Sequence, residues 1–205
     1  MINEIPEISL KRLPVYLNYL RNLDKEKNKY ISSGAIALAL GMGEVLVRKD
    51  LAYTEAVGRP KIGYLTEELI TALESFLHCN EVRNAVIVGV GGIGRAILGY
   101  GGFKNYGIEM VAAFDSDEKK IGTTVAGKPV LSTTEFKSGL KQYNADMAVL
   151  TVPASAAQAV ANELYEAGIK AILNFAPVQL TYPKHVIVRN IDVAARLAVL
   201  STLIK

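Results

Sequence analysis

The sequence predicts an α/β protein: an N-terminal winged-helix domain, a Rossmann-like parallel-sheet domain, and a C-terminal helix. Three observations carry this expectation. Short helical patterns in the first 80 residues break at Gly41-Met42-Gly43 and lead into a basic turn. From Asn84 onward, apolar runs of strand length alternate with helical stretches, the pattern of βαβ units with both sheet faces covered. A glycine-rich turn follows the first of those runs. The expected boundaries are 1–80, 81–190 and 191–205.

Taken in order, Leu10, Leu13, Leu17 and Leu20 recur at helical spacing and predict a first helix. Pro14 fits that helix only in its opening turn, because proline lacks the amide needed further in. Ser32 or Ser33 is placed to cap a second helix, Gly34–Leu40, and Glu44–Tyr53 resumes a helical pattern after the glycines. The stretch Ala56–Tyr64, with two glycines and Pro60, suits a small hairpin carrying Arg59 and Lys61. Thr66 with Glu67 and Glu68 opens a fourth helix, ending near Leu77. In the second part, strands are expected at Ala85–Val90, Ile108–Phe114, Met147–Val152, Ala171–Phe175 and Val186–Arg189. Helices are expected from Ile93 to Lys104, Ser155 to Ala167 and Ile191 to Ile204.

Composition narrows the classes of function. The 205 residues, half hydrophobic and 21% charged, exclude wholesale disorder and allow one large domain or two small ones. No apolar run approaches the roughly 18 residues that span a membrane. The N-terminus MINEIPEISLKRLP lacks a basic-then-apolar export pattern, so a cytoplasmic protein is expected. A single cysteine, Cys79, excludes an internal disulfide framework and most thiolate metal sites, and no metal is expected. Net charge is only +3, and residues 1–80 carry ten Lys+Arg against ten Asp+Glu. The bases cluster, however, in Lys11–Lys29 (with Lys25 among them) and in Arg48–Lys61. Such segments fit either a nucleic-acid face or a solvated surface.

The chemistry concentrates in Gly89-Val90-Gly91-Gly92-Ile93-Gly94, which directly follows a strand and opens a helix. The first glycine permits the tight turn, the second lets backbone approach a pyrophosphate, and the third lets helix and strand pack closely. Amides at the helix N-terminus then face the phosphates. Asp115 ends the next strand, 21 residues past Gly94 (115 minus 94). An acid there accepts from an adenosine ribose and repels a 2′-phosphate, so NAD(H) is favoured over NADP(H). Asp117 is the competing acid. A dehydrogenase needs a proton donor beside the reacting carbon, and neither His78 nor His185 is well placed. Tyr100 or Lys104 are the remaining options, so no catalytic residue is assigned and an enzyme is not expected.

Two sets of residues form a recognisable pair. Arg12-Leu13-Pro14-Val15-Tyr16-Leu17, Ile31-Ser32-Ser33 and Val47-Arg48-Lys49-Asp50-Leu51 resemble the winged-helix half of the Rex family of bacterial redox-sensing transcriptional repressors. Gly94-Arg95-Ala96, Tyr100-Gly101-Gly102-Phe103, Ala113-Phe114-Asp115-Ser116-Asp117, Lys120-Ile121-Gly122, Val152-Pro153-Ala154, Asn174-Phe175-Ala176-Pro177-Val178 and Asn190-Ile191-Asp192-Val193-Ala194 resemble its sensor half. The resemblance implies a homodimer that binds palindromic double-stranded operator DNA, senses the NADH/NAD⁺ ratio and is released by NADH. It implies DNA contacts from Arg12, Ser32, Ser33, Arg48, Lys49, Tyr53, Arg59 and Lys61. It implies cofactor contacts from Gly89, Gly91, Gly92, Ile93, Gly94, Arg95, Tyr100, Asp115, Ser116, Lys120, Val152, Pro153, Asn174 and Asp192. Tyr100 would lie near the nicotinamide, Asp192 would come from the C-terminal segment, and the C-terminal helix would be domain-swapped between the subunits. The apolar stripe Ile191, Val193, Leu197, Leu200 and Ile204 suits docking on a partner or on its own sheet.

The departures fall mostly in the DNA half. The family usually has glutamine where Leu46 stands, serine where Ala52 stands, and Tyr-Phe-Gly at Tyr53-Thr54-Glu55. Its Gly-Lys-Arg-Gly wing is here Gly58-Arg59-Pro60-Lys61-Ile62-Gly63, and Gly92 replaces a usual asparagine. These changes should shift or weaken DNA binding. Arg48 and Lys49, about 100° apart on a helix, would divide base and phosphate contacts. Arg59 and Lys61 on a strand would share a face, and Asp50 would restrain a neighbouring base. The alternatives are an NAD-dependent oxidoreductase and an NAD(H)-binding regulator with altered DNA binding.

Overall fold

The computed structural model describes residues 5–24 and 26–204. Lys25, counted among the bases of the first segment, and Lys205, the end of the expected C-terminal segment, lie outside the described residues. Packing divides the chain into two compact units, residues 1–81 and 82–205.

The first unit begins with α1 (Glu7–Arg21), which buries Leu13, Tyr16, Leu17 and Leu20. Pro14 lies inside α1, seven residues past its start, and not in the opening turn as expected. An interior proline costs about 3 kcal/mol, and the fully buried stripe around it outweighs that local cost. β1 (Tyr30–Ile31) leads to α2 (Ser33–Leu40), capped by Ser32, whose Oγ accepts from the Ala35 amide at 3.0 Å. Gly41 then takes a left-handed φ of +64° and turns the chain into α3 (Glu44–Leu51), completing a helix-turn-helix. The expected hairpin is smaller than foreseen. Arg59 and Gly63 form one antiparallel bridge around a tight turn, and the strand that follows, β2 (Tyr64–Leu65), pairs with β1 instead. α4 (Thr66–Phe76) closes the unit, buried through Leu69, Ile70 and Leu73.

The second unit is a seven-stranded sheet. Its strands are β3 (Arg83–Val88), β4 (Ile108–Asp115), β5 (Thr124–Val125), β6 (Lys128–Ser132), β7 (Ala145–Leu150), β8 (Ala171–Asn174) and β9 (Ile187–Asn190), in the order β5-β6-β4-β3-β7-β8-β9. All pairs are parallel except β5 with β6. The six parallel strands therefore run 3-2-1-4-5-6, the doubly wound dinucleotide-binding order, with its switch point between β3 and β7. The helices are α5 (Gly92–Leu98), α6 (Phe136–Gln142), α7 (Ala154–Glu166) and α8 (Val193–Leu203). One face buries Val86, Val88, Phe114, Leu150, Leu164 and Ile172, and the other Ile87, Val90, Leu98 and Met110. The helix foreseen from Ile93 to Lys104 is split. α5 stops at Leu98, and Gly101–Tyr106 continues as a 3₁₀ turn, because Gly99, Gly101 and Gly102 weaken the helix at that point. α8 buries none of its side chains within the described chain.

Candidate functional site

At the switch point the backbone itself makes the site. Gly89 follows β3 with φ +96°, and a Cβ there would lie 2.8 Å from the Thr151 carbonyl oxygen. A Cβ on Gly94 would lie 2.0 Å from the Gly89 carbonyl oxygen, so α5 packs on the turn only through glycine. Gly91 and Gly92 are exposed, and nothing lies within 4 Å of a Cβ built on either, which leaves their amides approachable. Ile93 is exposed, and exposed Arg95 donates from Nε to the Val90 carbonyl at 3.2 Å. Val152 packs against Gly89, and Pro153 is the N-cap of α7.

Thr151 escaped the sequence reading. Its hydroxyl lies 2.7 Å from the Gly89 carbonyl and 3.1 Å from that of Val88, fastening the end of β7 to the glycine turn. The only signal for it is its position, the last residue before Val152-Pro153 at the end of an apolar run.

Asp115 ends β4 with its carboxylate already engaged. Oδ2 accepts from the Val90 amide at 2.7 Å and from Lys120 Nζ at 3.1 Å, and Oδ1 accepts from the Asp117 amide at 2.9 Å. Burial pushes its pKa up, but the Asp117 and Val90 amides and Lys120 outweigh burial and hold it below the usual range. Lys120 thus faces the acids Asp115 and Asp117 (3.6 Å), and Ser116 is exposed beside them. The more open acid is Asp117, with 43% of its side chain exposed.

Three more of the expected sensor residues have contacts of their own. Asn174, expected at the cofactor, is fully buried. Its Nδ2 donates to Val178 O at 2.9 Å and to Asn190 Oδ1 at 2.8 Å, while Oδ1 accepts from the Ala176 amide at 2.9 Å. The side chain knits the Asn-Phe-Ala-Pro-Val turn to the end of β9. Tyr100 is 63% exposed and sets its ring edge-on to Phe103, 5.2 Å between centroids. The cavity it lines, about 230 Å³, includes none of Gly89–Gly94. Asp192 caps α8, its Oδ1 accepting from the Ala195 amide at 2.8 Å.

In the first unit, α3 presents Arg48 and Lys49 to solvent, and Ala52 and Tyr53, just past its end, are exposed as well. Exposed Arg59 sits over the Tyr30 ring at 5.8 Å. Lys61 has φ +64° within the turn, so Arg59 and Lys61 do not lie on one strand face, as hairpin geometry had suggested. Ser32 is exposed but already caps α2. Ser33 and Arg12 are engaged within the unit. Ser33 is buried, its hydroxyl donating to Glu44 Oε1 at 3.4 Å. Arg12 is drawn inward, its Nη2 donating to Asp50 Oδ1 at 2.7 Å and its Nε to Oδ2. Tyr16 OH also donates to Asp50 Oδ2, at 2.6 Å. Asp50 does restrain a base, but that base is Arg12 on α1, not its neighbours on α3. An ionised carboxylate this deeply buried requires such partners.

Among the described residues, no group of three His, Cys, Asp or Glu is placed to hold a metal, and no helix is long and apolar enough to cross a membrane. Residues 80–178 match the family model "CoA binding domain", and residues 4–52 match "Putative DNA-binding protein N-terminus". A helix-turn-helix carried with a dinucleotide-type parallel sheet defines a ligand-responsive DNA-binding regulator. Relatives described as redox-sensing transcriptional repressor Rex are 43% identical in Treponema denticola, over 95% of this chain and 93% of that one, and 40% identical in Geobacillus kaustophilus, over 95% and 91%. The chain belongs to the Rex family of redox-sensing transcriptional repressors. Solved structures of RSP, a Rex-family repressor, match it. The complex with β-NAD⁺ and operator DNA has TM-score 0.91 and 31% identity, covering 97% of this chain and 92% of that one. The complex with β-NADH has TM-score 0.87 and 30% identity, covering 98% and 94%.

Proposed function

We propose that this protein is a transcriptional repressor that binds operator DNA through α3 and the basic turn, and senses the NADH/NAD⁺ ratio at the glycine turn of its parallel sheet. The observation that carries this reading is the switch-point geometry: an approachable Gly91–Gly92 backbone beside an acidic β4 end at Asp115 and Asp117. Glycine amides meet a pyrophosphate, and an acid meets an unphosphorylated ribose. The name of the matching sensor model raises coenzyme A as a competing ligand. Its ribose carries a phosphate that this acidic β4 end would repel, so NAD(H) is the better fit. The reading is that of a regulator and not of an oxidoreductase, acting in the cytoplasm as a homodimer joined through the apolar stripe of α8.

For NADH to release operator DNA it must bind the DNA-incompetent arrangement more tightly, and by reciprocity operator DNA must weaken NADH. The test is a gel-shift assay on palindromic duplexes that the protein itself selects from a random pool, run with NAD⁺, NADH, coenzyme A and no ligand. Release by NADH alone is expected, with NADH affinity falling about 5- to 150-fold when DNA is present. Equal NADH affinities with and without DNA would sink the redox-switch reading, and steady NADH consumption with a substrate would favour the oxidoreductase.

A further inference from the structure

We infer that the first turn of α3 reads thymine, by apolar contact of Val45 and Leu46 with its 5-methyl group. The inference rests on the DNA-binding reading and deepens it. α3 buries Val47, Asp50 and Leu51, so the opposite arc faces outward. At about 100° per residue, Val45, Lys49 and Ala52 occupy the centre of that arc, with Arg48 on one flank and Leu46 on the other. Val45 is 56% exposed and Leu46 39%, although neither contributes to the core. Apolar side chains scattered over a surface need no explanation. These two are adjacent and sit in the opening turn of the second helix of a helix-turn-helix, the part that meets base edges in the major groove.

The first turn holds no other reader. Glu44 is its one polar side chain, and its carboxylate accepts from the Ser33 hydroxyl of α2 at 3.4 Å. Its charge would also repel phosphates. Arg48 and Lys49 follow one turn later and bring the positive charge that holds a helix against the backbone. Valine and leucine can neither donate nor accept a hydrogen bond. Of the groups that base pairs present in the major groove, only the thymine methyl is apolar. The chemistry of this turn therefore selects methyl-bearing steps, where a hydrogen-bonding residue at the Leu46 position would select a donor–acceptor pattern.

The experiment uses the full-length protein and the duplex it selects from a random pool in the presence of NAD⁺. Each thymine of a half-site is replaced singly by deoxyuridine, which removes the methyl group and nothing else. An affinity loss of about 4-fold is expected at one or two positions, the worth of burying one methyl group. At those positions the loss should vanish in Val45→Ala or Leu46→Ala, while each variant keeps its thermal unfolding profile. Unchanged affinity at every thymine, or an equal deoxyuridine penalty in the parent and both variants, overturns the inference and leaves DNA binding standing. Failure to enrich any sequence overturns the DNA-binding reading, and this inference with it.

Discussion

Asp50 is read wrongly if α3 is viewed alone. It stands between the exposed bases of the helix proposed to meet DNA and the buried face behind it, and only 1% of it is exposed. Burial pushes its pKa up, but the hydrogen bonds from Arg12, Tyr16 and Ser9 win and hold it below the ordinary carboxylate range. Burial, reinforced by the same acid, pushes Tyr16 the other way, up to about 12. A lowered carboxylate pKa stabilises the fold above the unfolded value, near 3.9, and that stability is lost as pH falls through the folded value. A raised tyrosine pKa stabilises it below about 10, and that stability is lost as pH rises towards about 12. Asp50→Ala strands the Arg12 charge and should cost about 3–5 kcal/mol. Tyr16→Phe should cost about 1.5–3 kcal/mol, flatten the alkaline limb, and weaken the acid limb only in part, since Arg12 and Ser9 still hold Asp50 down. Urea unfolding from pH 3 to 12, followed on the first-unit transition, checks both. An alkaline limb that survives Tyr16→Phe would contradict the assignment.

At the scale of elements, the clip between β3, β7 and α5 depends on two small groups. Gly94→Ala forces a Cβ into the Gly89 carbonyl, an overpacking of about 1–3 kcal/mol, and should displace the turn and weaken NADH binding about tenfold or more. Thr151→Val keeps the shape but leaves the Gly89 carbonyl without its hydroxyl donor, and should cost about 1–3 kcal/mol. NADH fluorescence titration and thermal unfolding separate the two, since the valine variant should lose stability before affinity. The same scale shows what could be read in advance. Strands β3, β4, β7 and β8 announce themselves as apolar runs, because buried parallel strands have no polar face. β5, β6 and α6 escape notice: Lys128-Pro129-Val130-Leu131-Ser132 is a near-edge strand with only Val130 buried, and α6 is a seven-residue helix with a glycine inside it. The glycine turn and Asp115 were legible as motifs. The inward roles of Arg12, Ser33 and Asn174 were not, because each depends on a partner distant in sequence or on burial that no local pattern records.

For the molecule as a whole, DNA affinity should fall with salt in proportion to the phosphates met. Each Lys or Arg removed from a phosphate contact lowers the log–log slope by about 0.9. Lys49→Gln and Arg59→Gln should each do so in a dimer on two half-sites, by about twice that amount. A slope unchanged by either would place that side chain in solvent. NADH binding, proposed to sit at the glycine turn of the other unit, should be indifferent to both changes. α8 carries one more consequence. Its eleven residues bury no side chain within their own chain, and a free helix of that length is marginal in water. Its helicity should therefore depend on dilution. For the homodimer proposed above, thinning the protein through its dimerisation constant should cost the far-ultraviolet circular dichroism about one short helix while the rest of the spectrum holds, and Leu197→Glu with Leu200→Glu should show that diminished spectrum at every concentration.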